Sequence, residues 1–326
     1  MANTQGEVVI TPVTLSKSFV KYRKELLMMP VYGLRKILPY LSVRQGVRYR
    51  ETVGQLDGDM QLAPYNPVQL DTKDVTIKGR ELETYLGSCV KAFDPNSVVQ
   101  SIYGSNIVQG DGLKGVPITK AVCAFLMGKL GEHLYDCIFT AKRNSEGTTT
   151  ADMFDGFKTI ADKEKTAGNI STAKQNLVEI EAITRENAED IVNEIYDAMH
   201  NKLKDQNTYM FMNNDNKLLY ERSYQDNHGS LPYNQQFKKT TVEGSDGRCT
   251  MIGMSCVPKD FIMVTPRSNL LAGIATSGAG VTFEVRNSLK SHFWLDFVAS
   301  MFFGAQFETI SPEKLLIAEP AAGVGG

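Results

Sequence analysis

Apolar residues recur along this chain with two different periods. Helical spacing appears first at Leu15, Phe19, Tyr22 and Leu26, with Thr14 or Ser16 placed to cap the segment and Pro30 to stop it. The longest helical pattern follows Gly115-Val116-Pro117. Ile118, Val122, Phe125, Leu126, Leu130, Leu134, Cys137, Ile138 and Ala141 form one stripe, and Lys129, Glu132, His133, Asp136, Thr140 and Arg143 fall opposite. Proline suits the first helical turn because its missing N–H has no partner there. The spacing predicts a helix of about 26 residues, about 40 Å long at ~1.5 Å per residue. That is about twice the usual length. A third pattern opens at Thr184 and runs through Ala188, Ile191, Val192, Ile195, Met199 and Leu203. Glu186, Glu189 and Asp190 stand early in it and Lys202 and Lys204 late, matching the helix dipole. A short helix is predicted at residues 217–224.

The second period is two. Alternation over residues 47–53 predicts a strand, Asp57-Gly58 marks a turn within residues 54–59, and a second extended stretch runs towards Val75-Thr76-Ile77. Between them lies Pro64-Tyr65-Asn66-Pro67, and large apolar residues are few. A long polar hairpin projecting from the body fits that pattern, since long loops without a task are uncommon. Further strands are predicted at residues 209–212, 251–257, 261–265, 281–285, 293–307 and 315–318. Residues 163–172 and 225–247 read as solvated, and residues 321–326 as a fraying end. No internal repeat is visible.

Composition then bounds the class. The chain has 326 residues, 42% hydrophobic and 22% charged. That is ordinary for a globular protein of two domains, or of one large domain with insertions. No apolar run reaches the roughly 18–20 residues a membrane helix needs. No basic and apolar leader is visible at Met1-Ala2-Asn3-Thr4-Gln5, so no secretory signal is expected. The net charge of −2 excludes a uniformly basic nucleic-acid binder. It hides a split, however. Residues 1–50 carry nine basic side chains against two acidic ones, a net +7, which leaves −9 for the remainder. A basic arm on an acidic body is a contact pattern. The five cysteines are odd in number and include no CxxC pair, which fits buried thiols in a reducing compartment.

Catalytic and binding motifs are weak throughout. Gly110-Asp111-Gly112-Leu113-Lys114-Gly115 matches GxGxxG, but a dinucleotide site needs an acid about 20 residues on, after a second strand. Helix is predicted there instead, and Asp111 would repel pyrophosphate. His133 and Cys137 stand four residues apart on one predicted helix with no third ligand nearby, so a buried thiol beside an exposed histidine is the reading. Gly87-Ser88-Cys89 and Gly253-Met254-Ser255-Cys256 are not nucleophile elbows and have no local base. Phe293, Trp294, Phe297, Phe302, Phe303 and Phe307 read as an aromatic strand of core or interface. No catalytic residue, cofactor site or metal site is expected.

The order of elements carries more than any motif. Residues 76–85, beginning Thr76-Ile77-Lys78-Gly79, look like the start of a peripheral domain. Residues 117–143 with Phe154-Asp155-Gly156-Phe157 look like a spine helix and its turn. Residues 184–206 with Tyr209-Met210-Phe211-Met212-Asn213 look like an axial-domain helix and strand. Phe303-Gly304-Ala305-Gln306-Phe307-Glu308 with Ser311-Pro312-Glu313 looks like a returning strand and its close. This layout resembles the major capsid proteins of tailed bacteriophages, the Hong Kong ninety-seven-type fold.

The resemblance implies an α+β fold divided into an N-terminal arm (1–45), an extended hairpin (46–76), a peripheral domain with the spine helix (77–150 and 286–326) and an axial domain (151–285). It implies a structural protein, not an enzyme. Such a protein self-assembles as pentamers and hexamers into an icosahedral shell around double-stranded DNA, without sequence-specific binding or membrane contact. Scaffold and portal proteins are possible partners, and the location would be a virion shell assembled in the bacterial cytoplasm. The contacts expected between subunits are Arg23, Lys24, Arg35 and Lys36 on the arm and Arg48, Arg50, Glu51, Asp57 and Asp59 on the hairpin. Two alternatives stay open: an encapsulin-like nanocompartment shell, and a soluble α+β enzyme or binding protein whose site shows no motif in the sequence, for which a deep pocket of clustered carboxylates would be the supporting observation.

Overall fold

The computed structural model describes residues 33–57, 76–94, 118–229, 240–275, 281–289 and 294–321. Two mixed sheets organise them. The first runs β1 (Ser42–Gln45), β8 (Leu270–Ala275), β10 (Leu295–Phe307), β3 (Thr76–Phe93) and β2 (Tyr49–Asp57), with β9 (Phe283–Asn287) pairing β10. The second runs β4 (Leu177–Ile180), β11 (Leu316–Pro320), β7 (Ile262–Pro266), β5 (Thr208–Asn213) and β6 (Cys249–Met254). Among the described residues five α-helices pack around them: α1 (Ile118–Cys137), α2 (Phe157–Thr166), α3 (Ala188–Asp197), α4 (Asn201–Lys204) and α5 (Asn214–His228).

Strand periodicity divides the core. On β5, β7 and β11 the residues Phe211, Met263 and Ile317 enter the main core with α1, α2 and the first sheet. Their neighbours Met210, Met212, Ile262, Val264, Leu316 and Ala318 enter a second core under α3 and α5. Successive strand side chains point to opposite faces, so a sheet buried on both sides needs apolar residues at both parities. The near-continuous runs Tyr209-Met210-Phe211-Met212 and Phe261-Ile262-Met263-Val264 satisfy that need.

Several expected elements shift. The spine helix is 20 residues long and stops at Cys137. The carbonyls that would continue it are taken by the next segment: Phe157 N–H donates to Ile138 O at 3.1 Å and Lys158 N–H to Phe139 O at 2.9 Å. Phe125, expected in the stripe, is 63% exposed, whereas Met127 is buried. The single helix expected over residues 184–206 is two. Asn187 Oδ1 accepts from Thr184 N–H at 2.7 Å, so the chain enters α3 only after Asn187. His200 is extended, and its Nδ1 accepts from Lys202 N–H at 3.2 Å to begin α4. The turn expected from Gly54 is still strand at Asp57, which pairs with Thr76.

Two boundaries also move. Leu34, Ile37 and Leu41 are fully buried, and β1 pairs in parallel with β8, so the body begins well before residue 45. Strands β8 and β11 cross the expected division at 285: β8 lies in the first sheet and β11 in the second. The predicted helix at residues 15–26, the GxGxxG loop and the hairpin segment 58–75 lie outside the described residues.

Candidate assembly surfaces

The hairpin of β2 and β3 leaves the body at a root that glycine makes possible. Gly304 on β10 and Gly273 on β8 are register partners. A Cβ on Gly304 would be built into the Glu83 carbonyl, and one on Gly273 into the Thr84 side chain. Only bare backbone at both positions lets β3 cross so close to the two strands. Leu82 then packs with Val47, Val53 and Leu271 in a small third core. The Thr84 hydroxyl donates to Val47 O at 3.2 Å.

Charges brace the same root. Arg80 donates to Glu164 on α2 at 2.7 Å and to the Gln306 side chain at 3.1 Å. Burial pushes the Glu164 carboxyl up, but hydrogen bonds from Asn169 and Arg80 and the Arg80 charge outweigh it, so its pKa lies below the ordinary carboxylate value. Arg50 pairs across the hairpin with Glu83 at 2.8 Å and Glu81 at 3.3 Å. Tyr85 donates to Glu83, and burial together with that carboxylate pushes its pKa up to about 12. The Arg143 guanidinium lies 4.6 Å from the Tyr85 ring centre.

The residues expected to contact neighbours divide accordingly. Arg35, Lys36 and Arg48 are exposed on the body, and Lys36 Nζ sits 5.5 Å above the Tyr135 ring. Arg50 is exposed but already engaged within the chain. Glu51 lies on β2 opposite Leu82. Arg23, Lys24 and Asp59 lie outside the described residues, and for Asp57 only the backbone register is described. Tyr49, which lies within the alternating stretch 47–53 and is not among the expected contacts, is 69% exposed with its ring 5.3 Å from that of Phe302. Its φ of 70° is left-handed, a conformation that bulky residues rarely adopt. No sequence pattern marks that kind of backbone.

The chemistry of the weak motifs is also visible. Burial raises the Cys137 thiol to about 12 and the Cys249 and Cys256 thiols to about 11, so all three stay protonated near neutral pH. His133 is exposed while Cys137 is buried, so the two do not form a ligand pair. Among the described residues no group of three or more His, Cys, Asp or Glu is placed to hold a metal ion. None of the described helices is long and apolar enough to cross a membrane.

A spine helix against a long-stranded sheet, a second sheet with helices on its outer face, and a rooted hairpin together define the class: this is the Hong Kong ninety-seven-type fold of phage major capsid proteins. Comparison with solved structures agrees. A chain of the satellite phage P4 procapsid that includes the size-determination protein Sid superposes with a TM-score of 0.57 at 9% identity, covering 97% of this chain and 93% of that one. The capsid of a native GTA particle gives 0.56 at 14% identity, covering 99% and 94%. The capsid of cyanophage A-1(L) gives 0.56 at 13% identity, covering 90% and 92%. No family model and no curated protein matches the sequence.

Proposed function

We propose that this chain is a major capsid protein whose copies assemble into an icosahedral shell enclosing the double-stranded DNA of a tailed phage or prophage. The observation that carries this reading is the end-to-end likeness in fold to capsid chains, with nine-tenths or more of both chains covered in each comparison quoted. The work such a chain does is association. Its second sheet with α3 and α5 serves as the axial domain that clusters in rings of five and six. Its first sheet with α1 serves as the peripheral domain. The hairpin reaches across a neighbour, using Arg48, Glu51, Asp57 and Asp59, while Arg23, Lys24, Arg35 and Lys36 meet acidic surface on adjacent copies. Arg50, held by Glu81 and Glu83, stiffens the hairpin. Scaffold and portal proteins fit the same reading, as does assembly in a bacterial cytoplasm before the shell becomes part of a virion.

Expression of the chain followed by light-scattering chromatography and negative-stain microscopy tests it. Megadalton shells, or five- and six-membered rings, are expected. A compact monomer that never assembles, even with the products of neighbouring phage genes, would refute it.

A further inference from the structure

The chain enters β2 through a turn that its own residue type resists. Strand β3 runs unbroken from Thr76 to Phe93. Its partner side does not, because β1 ends at Gln45 and β2 starts at Tyr49. The link holds two positive φ angles, 81° at Gly46 and 70° at Tyr49. Glycine adopts such an angle freely, whereas a bulky side chain rarely does. At Tyr49 the Arg50 N–H donates to Arg48 O at 3.0 Å. A bond that closes three residues around a positive φ makes the rare and strained form of γ-turn.

Neighbours hold that turn from both sides. Before it, the Gly46 N–H donates to Ile274 O at 2.9 Å. Val47 is buried, and its carbonyl accepts the Thr84 hydroxyl at 3.2 Å. After it, Tyr49 is the register partner of Thr84, and Arg50 is paired with Glu83 and Glu81. Thr84 therefore grips the chain on both sides of Arg48. The Tyr49 ring stands edge-on to Phe302, with centres 5.3 Å apart and planes at 70°. Phe302 is 1% exposed and Tyr49 69%, so one side of the ring covers Phe302 while the rest meets solvent. Strained backbone persists only where its surroundings over-determine it, and it gathers at positions that switch.

We propose that Tyr49 is a strained joint, kept closed in the free chain by its ring on Phe302 and relaxed when copies of the chain pack together. The proposal rests on the shell reading. In the packed state the ring leaves Phe302 for the surface of a second copy, the Arg50 N–H leaves Arg48 O, and φ turns negative. The strain present before packing then favours assembly, because a contact shifts a two-state element by its differential affinity for the two states.

The variants Tyr49→Gly and Tyr49→Ala separate strain from ring. Both remove the ring, and only alanine keeps a Cβ at the positive φ. Glycine in a strand is ordinarily the less stable of the two, and a strained turn reverses that order. In urea melts of the free chain the glycine variant should therefore unfold at the higher midpoint. In assembly followed by light scattering it should need at least about fivefold more protein than the alanine variant, since it has no strain to lose. Tyr49→Phe keeps both ring and strain and should match wild type in both measurements. An alanine variant at least as stable as the glycine one would overturn the strain. Equal concentrations for assembly would overturn the release. An alanine variant that does not fold beside a folded glycine variant would show the strain outright, and Tyr49→Asn, which tolerates positive φ, and Tyr49→Ser, which does so less readily, would then carry the assembly comparison. If the wild type never assembles, the shell reading fails and the release falls with it, while the urea comparison still decides whether the turn is strained.

Discussion

Single atoms decide how the hairpin is held. Gly304 faces the Glu83 carbonyl so closely that even a methyl group has no room, and the obstacle is backbone, which cannot rotate aside. Gly304→Ala should therefore destabilise the fold by about 1–3 kcal/mol, the usual cost of overpacking. Urea melts of wild type and variant would read this directly, and an unchanged midpoint would mean that β3 shifts freely. The Arg80–Glu164 pair gives a pH signature. The Glu164 pKa is depressed in the folded chain below its ordinary 4.5. Its contribution to stability is therefore complete above the unfolded value and is lost as pH falls through the folded one. Wild type should lose stability across that acid range more steeply than Glu164→Gln. Parallel melting curves for the two below pH 4.5 would show that the pair adds nothing. Neither feature was readable in advance, because a glycine in a strand and an arginine on its surface look alike wherever they occur in a sequence.

At the scale of elements, the sequence pattern located strands better than their ends. The aromatic strand, the strand before Asn213 and the closing strand all stand where alternation or apolar runs placed them. Among the elements that escaped, three show the reason. Helix α2 buries only Phe157, Ile160 and Ala161, and its lysines made it read as solvated. Strand β8, Leu270-Leu271-Ala272-Gly273-Ile274-Ala275, is buried at every position and so shows no alternation. Strand β4 has four residues, too few for a period to register. The hairpin was legible as a polar excursion, but β2 stays a strand through residues 54–57, where the turn was expected to begin. That register allows a clean test of its role. Joining Val53 to Arg80 through Asn-Gly, a turn whose twist suits a two-stranded ribbon, keeps the small core of Val47, Val53, Leu82 and Leu271. The shortened chain should melt near the wild-type temperature and form no shells under the electron microscope. Normal shells from it would remove the hairpin from the assembly mechanism.

For the whole molecule, the order of elements was enough to suggest the fold, while the pairing of distant strands was not. Nothing local shows that β1 joins β8, or that β11 leaves the first sheet for the second, since those contacts lie more than a hundred residues apart in sequence or are set by packing. The charge split changes most once the chain is folded. Of the nine basic residues in the first fifty, Arg35, Lys36, Arg44, Arg48 and Arg50 belong to the described body. Residues 1–32 keep only four basic side chains against Glu7 and Glu25, a net +2. Most of the +7 therefore belongs to residues 33–50 of the described body, where Arg50 is already paired with Glu81 and Glu83. Arg35 and Lys36 are exposed on that body, where docking a charge needs no further ordering of the backbone. Reversing Arg35 and Lys36 to Glu should raise the concentration needed for assembly more than reversing Arg23 and Lys24. The gap should narrow from 50 mM to 500 mM salt, about the range over which screening of exposed charges becomes strong. Light scattering across that series decides it. An equal or larger effect from Arg23 and Lys24 would return the electrostatic role to the first 32 residues, and no effect from either pair at low salt would remove electrostatic attraction from the assembly mechanism.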